Sequence, residues 1–117
     1  MKYTMICDKA ALIEKTNESF LLSDSASTLD IISTAWENEA CTTIILMLND
    51  IDEKFFDLKT KIAGEAIQKF TNYGFKLIIV GNYSIYTSSL LKDFIYESNK
   101  DNSLKFVNSI QDAIESL

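Results

Sequence analysis

The chain has 117 residues, of which 47% are hydrophobic, and it carries a net charge of -6. This is the size of one domain, and the apolar content suffices for a packed core, which excludes a generally disordered chain. All cations are lysines, because the chain has no arginine, and histidine and proline are also missing. The acidic balance argues against nucleic-acid binding. The missing histidine excludes a Ser-His-Asp triad and the commonest zinc ligand.

No segment has the composition of a membrane span or a secretory signal. The longest apolar run, residues 44–48, is far shorter than the roughly 20 residues that cross a bilayer. The N-terminal residues contain no long apolar segment and no small-residue cleavage site. We therefore expect a cytoplasmic protein without membrane association. Cys7 and Cys41 are interpreted as small buried hydrophobic residues, so no metal and no cofactor is expected.

The first elements are predicted to be a β-hairpin and a helix. Residues 2–7 and 10–15 have the composition of strands and flank a short polar turn. Ser27, followed by Asp30 three positions later, matches a capping box at the start of a helix over residues 28–39. The side chains expected on the inner face of this helix are Leu29, Ile31, Ile32, Ala35 and Trp36.

Two predominantly apolar stretches, residues 42–48 and 75–80, are typical of parallel strands covered on both faces. Between them, apolar side chains recur at helical spacing: Leu58, Ile62, Ala66, Phe70 and Tyr73. Asp57 is placed as the N-cap of this second helix and Gly74 as its left-handed C-terminal residue. Gly64, inside the helix, is attributed to close packing against the sheet or across a dimer rather than to a ligand.

The remainder continues the alternation with a helix over residues 88–98, a strand at Leu104–Val107 and a last helix that begins at Ser109. Asp112 completes a second capping box with Ser109. Strands that alternate with helices predict parallel pairing and right-handed crossovers. We therefore predict a single α/β domain over residues 1–117, with a mixed sheet of about five strands whose C-terminal half is parallel.

The second helix and the residues after it resemble a known family, the bacterial domain-of-unknown-function 4180 family. The resemblance is carried by residues 55–60, 62–65, 68–70, 72–73, 76–77, 79–81, 86–88 and 93–100. It covers most of the chain from Thr43 onward, whereas the N-terminal third is similar only in outline. The resemblance implies little chemistry, since the family supplies no catalytic residues to transfer.

The order of elements also resembles the STAS domain, the module of sulfate transporters and anti-sigma-factor antagonists. In the antagonists, a serine at the start of the helix after the third strand is phosphorylated by a partner kinase. Asp57 stands at the equivalent entry, but it is followed by Leu58-Lys59-Thr60-Lys61 rather than by two serines and a glycine. The resemblance therefore implies a phosphorylated switch only if Thr60 supplies the hydroxyl.

Polar side chains follow the two buried strands and start the second helix. Parallel sheets bind ligands beyond the carboxyl ends of their strands, which places these candidate binding residues at one edge: Asn49, Asp50, Asp57, Lys59, Thr60, Asn82 and Tyr83. The functional interpretation is a small anion or a partner backbone docked at the helix N-terminus. The plainer interpretation is that Asp57 caps, Asn82 turns and Lys59 is solvated.

These observations favour a non-enzymatic binding or regulatory module that acts through protein–protein contacts. The alternative is a small enzyme or ligand-binding protein with a pocket at the same strand ends, using Asp50 or Asp57 as a base. The partner is expected to be another protein or a second copy of the chain in a homodimer, with no nucleic acid and no membrane. The sequence does not choose among these partners.

Overall fold

A computed structural model of the chain describes residues 2–7, 9–15, 20–37, 42–57, 61–82, 92, 95–96 and 104–117. Several predictions lie outside the described residues: those on Cys41, Leu58, Lys59, Thr60 and Tyr83 and on the side chain of Cys7. Of the predicted helix over residues 88–98, only Lys92, Ile95 and Tyr96 are described, and all three have helical backbone.

Five strands form one mixed sheet: β1 (Lys2–Cys7), β2 (Ala10–Glu14), β3 (Thr43–Met47), β4 (Lys76–Val80) and β5 (Leu104–Val107). They lie side by side in chain order. β1 and β2 are antiparallel, and every later pair is parallel. The predicted hairpin, the five-stranded mixed sheet and its parallel C-terminal half are therefore confirmed.

In the described residues, three α-helices accompany the sheet: α1 (Ser25–Trp36), α2 (Ile62–Asn72) and α3 (Ile110–Glu115). Two 3-10 turns, Leu48–Asp50 and Glu53–Phe56, follow β3. The end of α2 was predicted correctly. Gly74 adopts a left-handed φ of 80°, and the amide of Phe75 donates to the carbonyl of Phe70 at 2.8 Å, which is the Schellman arrangement.

The helices cover the two faces of the sheet unequally. On one face, α1 and α2 bury side chains such as Ile31 and Phe70 against Ile44, Leu46 and Ile79 in the main core. On the other face, the short α3 packs a smaller cluster of Ala113 with Leu12, Ile45, Ile78 and Val80. We call these the two-helix face and the α3 face. Alternate positions of the central strands are apolar on both faces, which explains their continuous apolar runs.

The predicted start of α1 was wrong, and its predicted inner face is confirmed for Ile31, Ile32 and Ala35 but wrong for Leu29 and Trp36. The capping box is formed by Asp24 and Ser27: the Ser27 amide donates to Asp24 Oδ1 at 2.8 Å, and the Asp24 amide donates to Ser27 Oγ at 3.1 Å. The charged Asp24 carboxylate is a strong cap acceptor, so the helix begins at Ser25 instead of residue 28.

The side chains that α1 buries are Thr28, Ile31, Ile32 and Ala35. Trp36 is 59% exposed rather than in the core, and it meets the ring of Tyr73 edge-on with the centroids 5.4 Å apart. Leu29 shares that flank of the helix, one heptad earlier, and is also exposed. The stripe that faces the sheet is therefore rotated away from Leu29 and Trp36.

The predicted start of α2 and the role of Asp57 were also wrong. Phe55 and Phe56 are buried with their rings edge to face, and they anchor a 3-10 turn that ends at Asp57. The Asp57 amide donates to the Lys54 carbonyl at 3.2 Å, so Asp57 closes this turn. α2 begins only at Ile62, after Lys61 in a left-handed conformation with φ of 61°.

The prediction that Gly64 packs closely against the sheet was wrong. It is exposed, and no described atom outside its own helix backbone lies within 4 Å of the place where a Cβ would stand. The alternative explanation, packing across a dimer, stays a prediction. On the chain itself, Gly64 is a helix residue of low propensity on an open surface.

Candidate functional site

Of the described members of the predicted site, Asn49, Asp50 and Asn82 lie where β3 and β4 end, and Asp57 lies at the end of the second 3-10 turn after β3. Asn49 follows β3, Asn82 follows β4 after one intervening residue, and Met47 pairs with Val80 in the parallel ladder. The register therefore brings the ends of β3 and β4 to the same edge of the sheet. We call this the carboxyl edge and define it by Asn49, Asp50, Asp57 and Asn82 with the segments that carry them. Three of these side chains are exposed, while Asp50 is half-buried.

Gly81 sets how closely the two exits approach each other. A Cβ at Gly81 would overlap the Leu48 side chain, with Leu48 Cδ2 only 2.7 Å away. The Gly81 amide donates to the carbonyl of Val107 at 3.0 Å, which ties this edge to β5 as well. Gly81 is therefore required for a close approach of backbone to side chain, a use of glycine that the sequence alone did not reveal.

Asp50 connects the exit of β3 to the chain that follows β2. Its Oδ2 accepts a hydrogen bond from the Lys15 amide at 3.3 Å, and its carbonyl accepts from the Leu21 amide at 2.8 Å. The Asp52 amide returns a bond to the Leu21 carbonyl at 2.9 Å, and Leu21 forms a parallel bridge with Ile51. Asp50 thus has a structural role at this edge.

The segment from Asp50 to Asp57 gives the carboxyl edge an acidic character. It contains the carboxylates of Asp50, Asp52, Glu53 and Asp57 against the single ammonium of Lys54. Glu53 and Asp57 are exposed. Asp52 caps the second 3-10 turn, since its Oδ1 accepts from the Lys54 amide at 2.9 Å. Exposed carboxylates on a hydrogen-bonded framework attract cationic groups of a partner.

A cavity of about 230 Å³ lies at the opposite, amino edge of the parallel strands, where sequence reasoning placed no site. It is lined by Lys9, Thr42, Thr43, Lys76, Ile78, Lys105, Ser116 and Leu117. These residues come from the starts of four strands and the end of α3. Only the strand register brings them together, and the register is not written in any one segment of the sequence. The one sequence signal for the cavity was the recurrence of lysine at strand starts.

Among the described residues, no group of three His, Cys, Asp or Glu side chains could hold a metal ion. None of the helices described is long and apolar enough to cross a membrane. The other predicted site residues lie outside the described residues, so their roles stay predictions: Lys59, Thr60 and Tyr83.

Comparison with known proteins identifies the family and nothing finer. No curated protein and no solved structure matches the chain, so the STAS resemblance still rests on the order of elements alone. One family, described as a domain of unknown function (DUF4180), matches residues 8–117. That match spans nearly the whole domain from the second strand of the hairpin onward, whereas β1 lies before it. The chain therefore belongs to the DUF4180 family, as the residues of its second helix indicated.

Proposed function

We propose that this domain is a non-enzymatic, regulatory binding module of the cytoplasm that docks a protein partner on its carboxyl edge. The observation that carries the proposal is a set of exposed polar side chains on turns that the rest of the fold holds in place. Asn49, Asp57 and Asn82 are exposed, while the turns that present them are held by the Gly81–Leu48 approach and the Leu21–Ile51 bridge. A preorganised surface loses little conformational entropy when a partner binds.

The charge of the edge supports a partner with a basic face. Glu53 and Asp57 are exposed, and the whole chain is acidic. Opposite charges on the two surfaces would accelerate encounter and discourage acidic partners. The expected association is therefore salt-sensitive, because exposed charges are screened over about 8 Å at physiological ionic strength.

The alternative, a ligand pocket at this edge with Asp50 or Asp57 as a base, has less support. One oxygen of Asp50 accepts a bond from the Lys15 amide. Described residues line a cavity at the amino edge and a narrow one between α1 and α2 beside Thr28 and Ala66. A protein partner or a second copy of the chain is the simpler occupant of the carboxyl edge.

The test begins with the protein purified from its native host together with whatever chains accompany it. A co-purifying chain is then titrated against the wild type, Asp57→Lys and the matched control Glu37→Lys. Both variants make the same charge change on an exposed residue, but Glu37 caps the end of α1, away from the carboxyl edge. We expect Asp57→Lys to weaken binding roughly tenfold or more while Glu37→Lys leaves it unchanged.

Equal affinities of the two variants for that chain would mean that the carboxyl edge takes no part in binding. Light scattering on a sizing column supplies the complementary result. If the protein is a dimer and Asp57→Lys makes it monomeric, the partner is a second copy of the chain. If no chain co-purifies and the protein is a monomer at all concentrations tested, the proposal of a protein-docking module fails.

A further inference from the structure

We propose that the cavity at the amino edge binds a small organic oxyanion with two negative charges, a phosphate monoester or a short dicarboxylate. The site is separate from the carboxyl edge, so this inference does not rest on the proposed function. It rests on three lysines that the fold directs to one cavity in an otherwise acidic chain.

The strand register places the lysines on one face of the sheet. Lys76 pairs with Thr43, and Ile78 pairs with Lys105. Ile78 belongs to the cluster under α3, and side chains two positions apart on a strand share a face. Lys76 and Lys105 therefore both belong to the α3 face, beside the C-terminal end of that helix. Lys9 joins them at the entry to β2, where its carbonyl accepts from the amides of Thr42 and Thr43.

The side chains that line the cavity carry a charge opposite to that of the molecule. The described lining includes three lysines and no acidic side chain, although the chain has 17 acidic and 11 basic residues. Lysines that line one concave surface raise the local concentration of anions. An anion in this cavity takes up the donors that lysine offers to phosphate or carboxylate oxygens.

The size and the floor of the cavity limit the ligand. The cavity has a volume of about 230 Å³, whereas one water takes up about 30 Å³ in the liquid. A bare phosphate would leave much of the cavity empty, which favours a ligand with a carbon skeleton beside its charged groups. Ile78 is 3% exposed and supplies an apolar floor that suits a short carbon skeleton. The Ser116 hydroxyl donates to the carbonyl of Asp112 at 2.8 Å, so the lysines are the main donors available to the ligand.

The experiment is a titration of the folded, full-length protein followed by amide chemical shifts and calorimetry. The probes are glycerol 3-phosphate for the phosphate class and succinate for the dicarboxylate class, with sodium chloride at matched ionic strength as the screening control. The variants are Lys105→Gln and Lys76→Gln. The matched control is Lys2→Gln, which removes the same charge from an exposed residue at the far end of β1, paired with Glu14 at the other edge of the sheet.

We expect at least one probe to bind with a Kd of about 1 mM or lower and to shift the amides of Thr43, Lys76 and Ile78. Lys105→Gln and Lys76→Gln should each weaken that binding roughly tenfold, with Lys2→Gln unchanged. The probe that binds decides between the two classes. The inference is overturned if neither probe binds at about 10 mM. It is equally overturned if sodium chloride produces the same shifts, or if Lys2→Gln weakens binding as much as Lys105→Gln.

Discussion

Replacing Gly81 by alanine should destabilise the domain through a single added methyl group. Leu48 is 5% exposed, and a Cβ at Gly81 would overlap its side chain close to the main chain. The flexible end of the leucine cannot swing aside to remove the overlap, because its Cβ is itself involved. The backbone of one strand exit must therefore move away from the other.

Overpacking of this kind typically costs about 1 to 3 kcal/mol. We expect Gly81→Ala to fall in the upper half of that range, about 2 to 3 kcal/mol, because the obstruction involves an atom attached to the backbone. For a domain of this length the unfolding entropy is about 0.25 kcal/mol/K, so each kcal/mol lowers Tm by roughly 4 °C. The expected fall in Tm is therefore about 8 to 12 °C.

Thermal unfolding followed by circular dichroism measures this shift, with Gly64→Ala as the matched control. The chemical change is identical, but Gly64 lies on the exposed side of α2 with open space around it. Alanine is favoured over glycine in a helix by about 0.5 to 1 kcal/mol, so Gly64→Ala should raise Tm by about 2 to 4 °C. If Gly81→Ala unfolds at or above the wild-type temperature, the close approach of the two strand exits is wrong. If Gly64→Ala lowers Tm, the residue packs across an interface.

Other predictions concern a cap, a side-chain link and the position of the tryptophan. Ser109→Ala should lose the bond from the Asp112 amide to Ser109 Oγ at 3.1 Å, which should lower the free energy of unfolding in denaturant titrations by about 1 kcal/mol. Ser109→Asp keeps an acceptor and should retain most of that stability. Equal losses for the two variants would contradict the cap. Asp50→Ala should cost about 1 kcal/mol because it leaves the Lys15 amide without its acceptor, whereas a neutral result would mean that water replaces the carboxylate. Trp36 is the one tryptophan of the chain and is largely exposed. Acrylamide should therefore quench the tryptophan fluorescence of folded and unfolded protein almost equally. Strong protection in the folded state would place the ring in a core.

The sheet could be predicted because its sequence signals are local and strong. The run at Ile44 and Ile45 is apolar at successive positions, which favours a strand buried on both faces, and both side chains are fully buried. The hairpin at Ala10 and the Schellman end at Gly74 follow from equally local rules. Where one element alone determines the outcome, the sequence and the structure agree.

The errors occur where two local signals compete or where distant residues meet. Ser27 could open a box with Asp30 or close one with Asp24, and spacing alone does not distinguish the two. Asp57 has the chemistry of an N-cap, but it closes a 3-10 turn that the buried Phe55 and Phe56 anchor. Tertiary packing decides such cases.

The lysine cavity was missed for a different reason. Lys76 and Lys105 belong to strands separated by a long stretch of chain, and only the register of β4 with β5 brings them to one face. Periodicity within one strand carries no information about the register with the next. The overlap between Gly81 and Leu48 is likewise a property of two chain segments together.

Site-specific photo-crosslinking in the native host shows whether the carboxyl edge is the docking surface, as we claim. Thr42 and Asn49 flank β3 at its two ends, and both are exposed. A photoreactive residue in place of Asn49 reports on the carboxyl edge, and the same residue in place of Thr42 reports on the amino edge. We predict a discrete covalent adduct, to a partner protein or to a second copy of the chain, from position 49 and none from position 42. Adducts from position 42 alone, or equally from both positions, would contradict the claim.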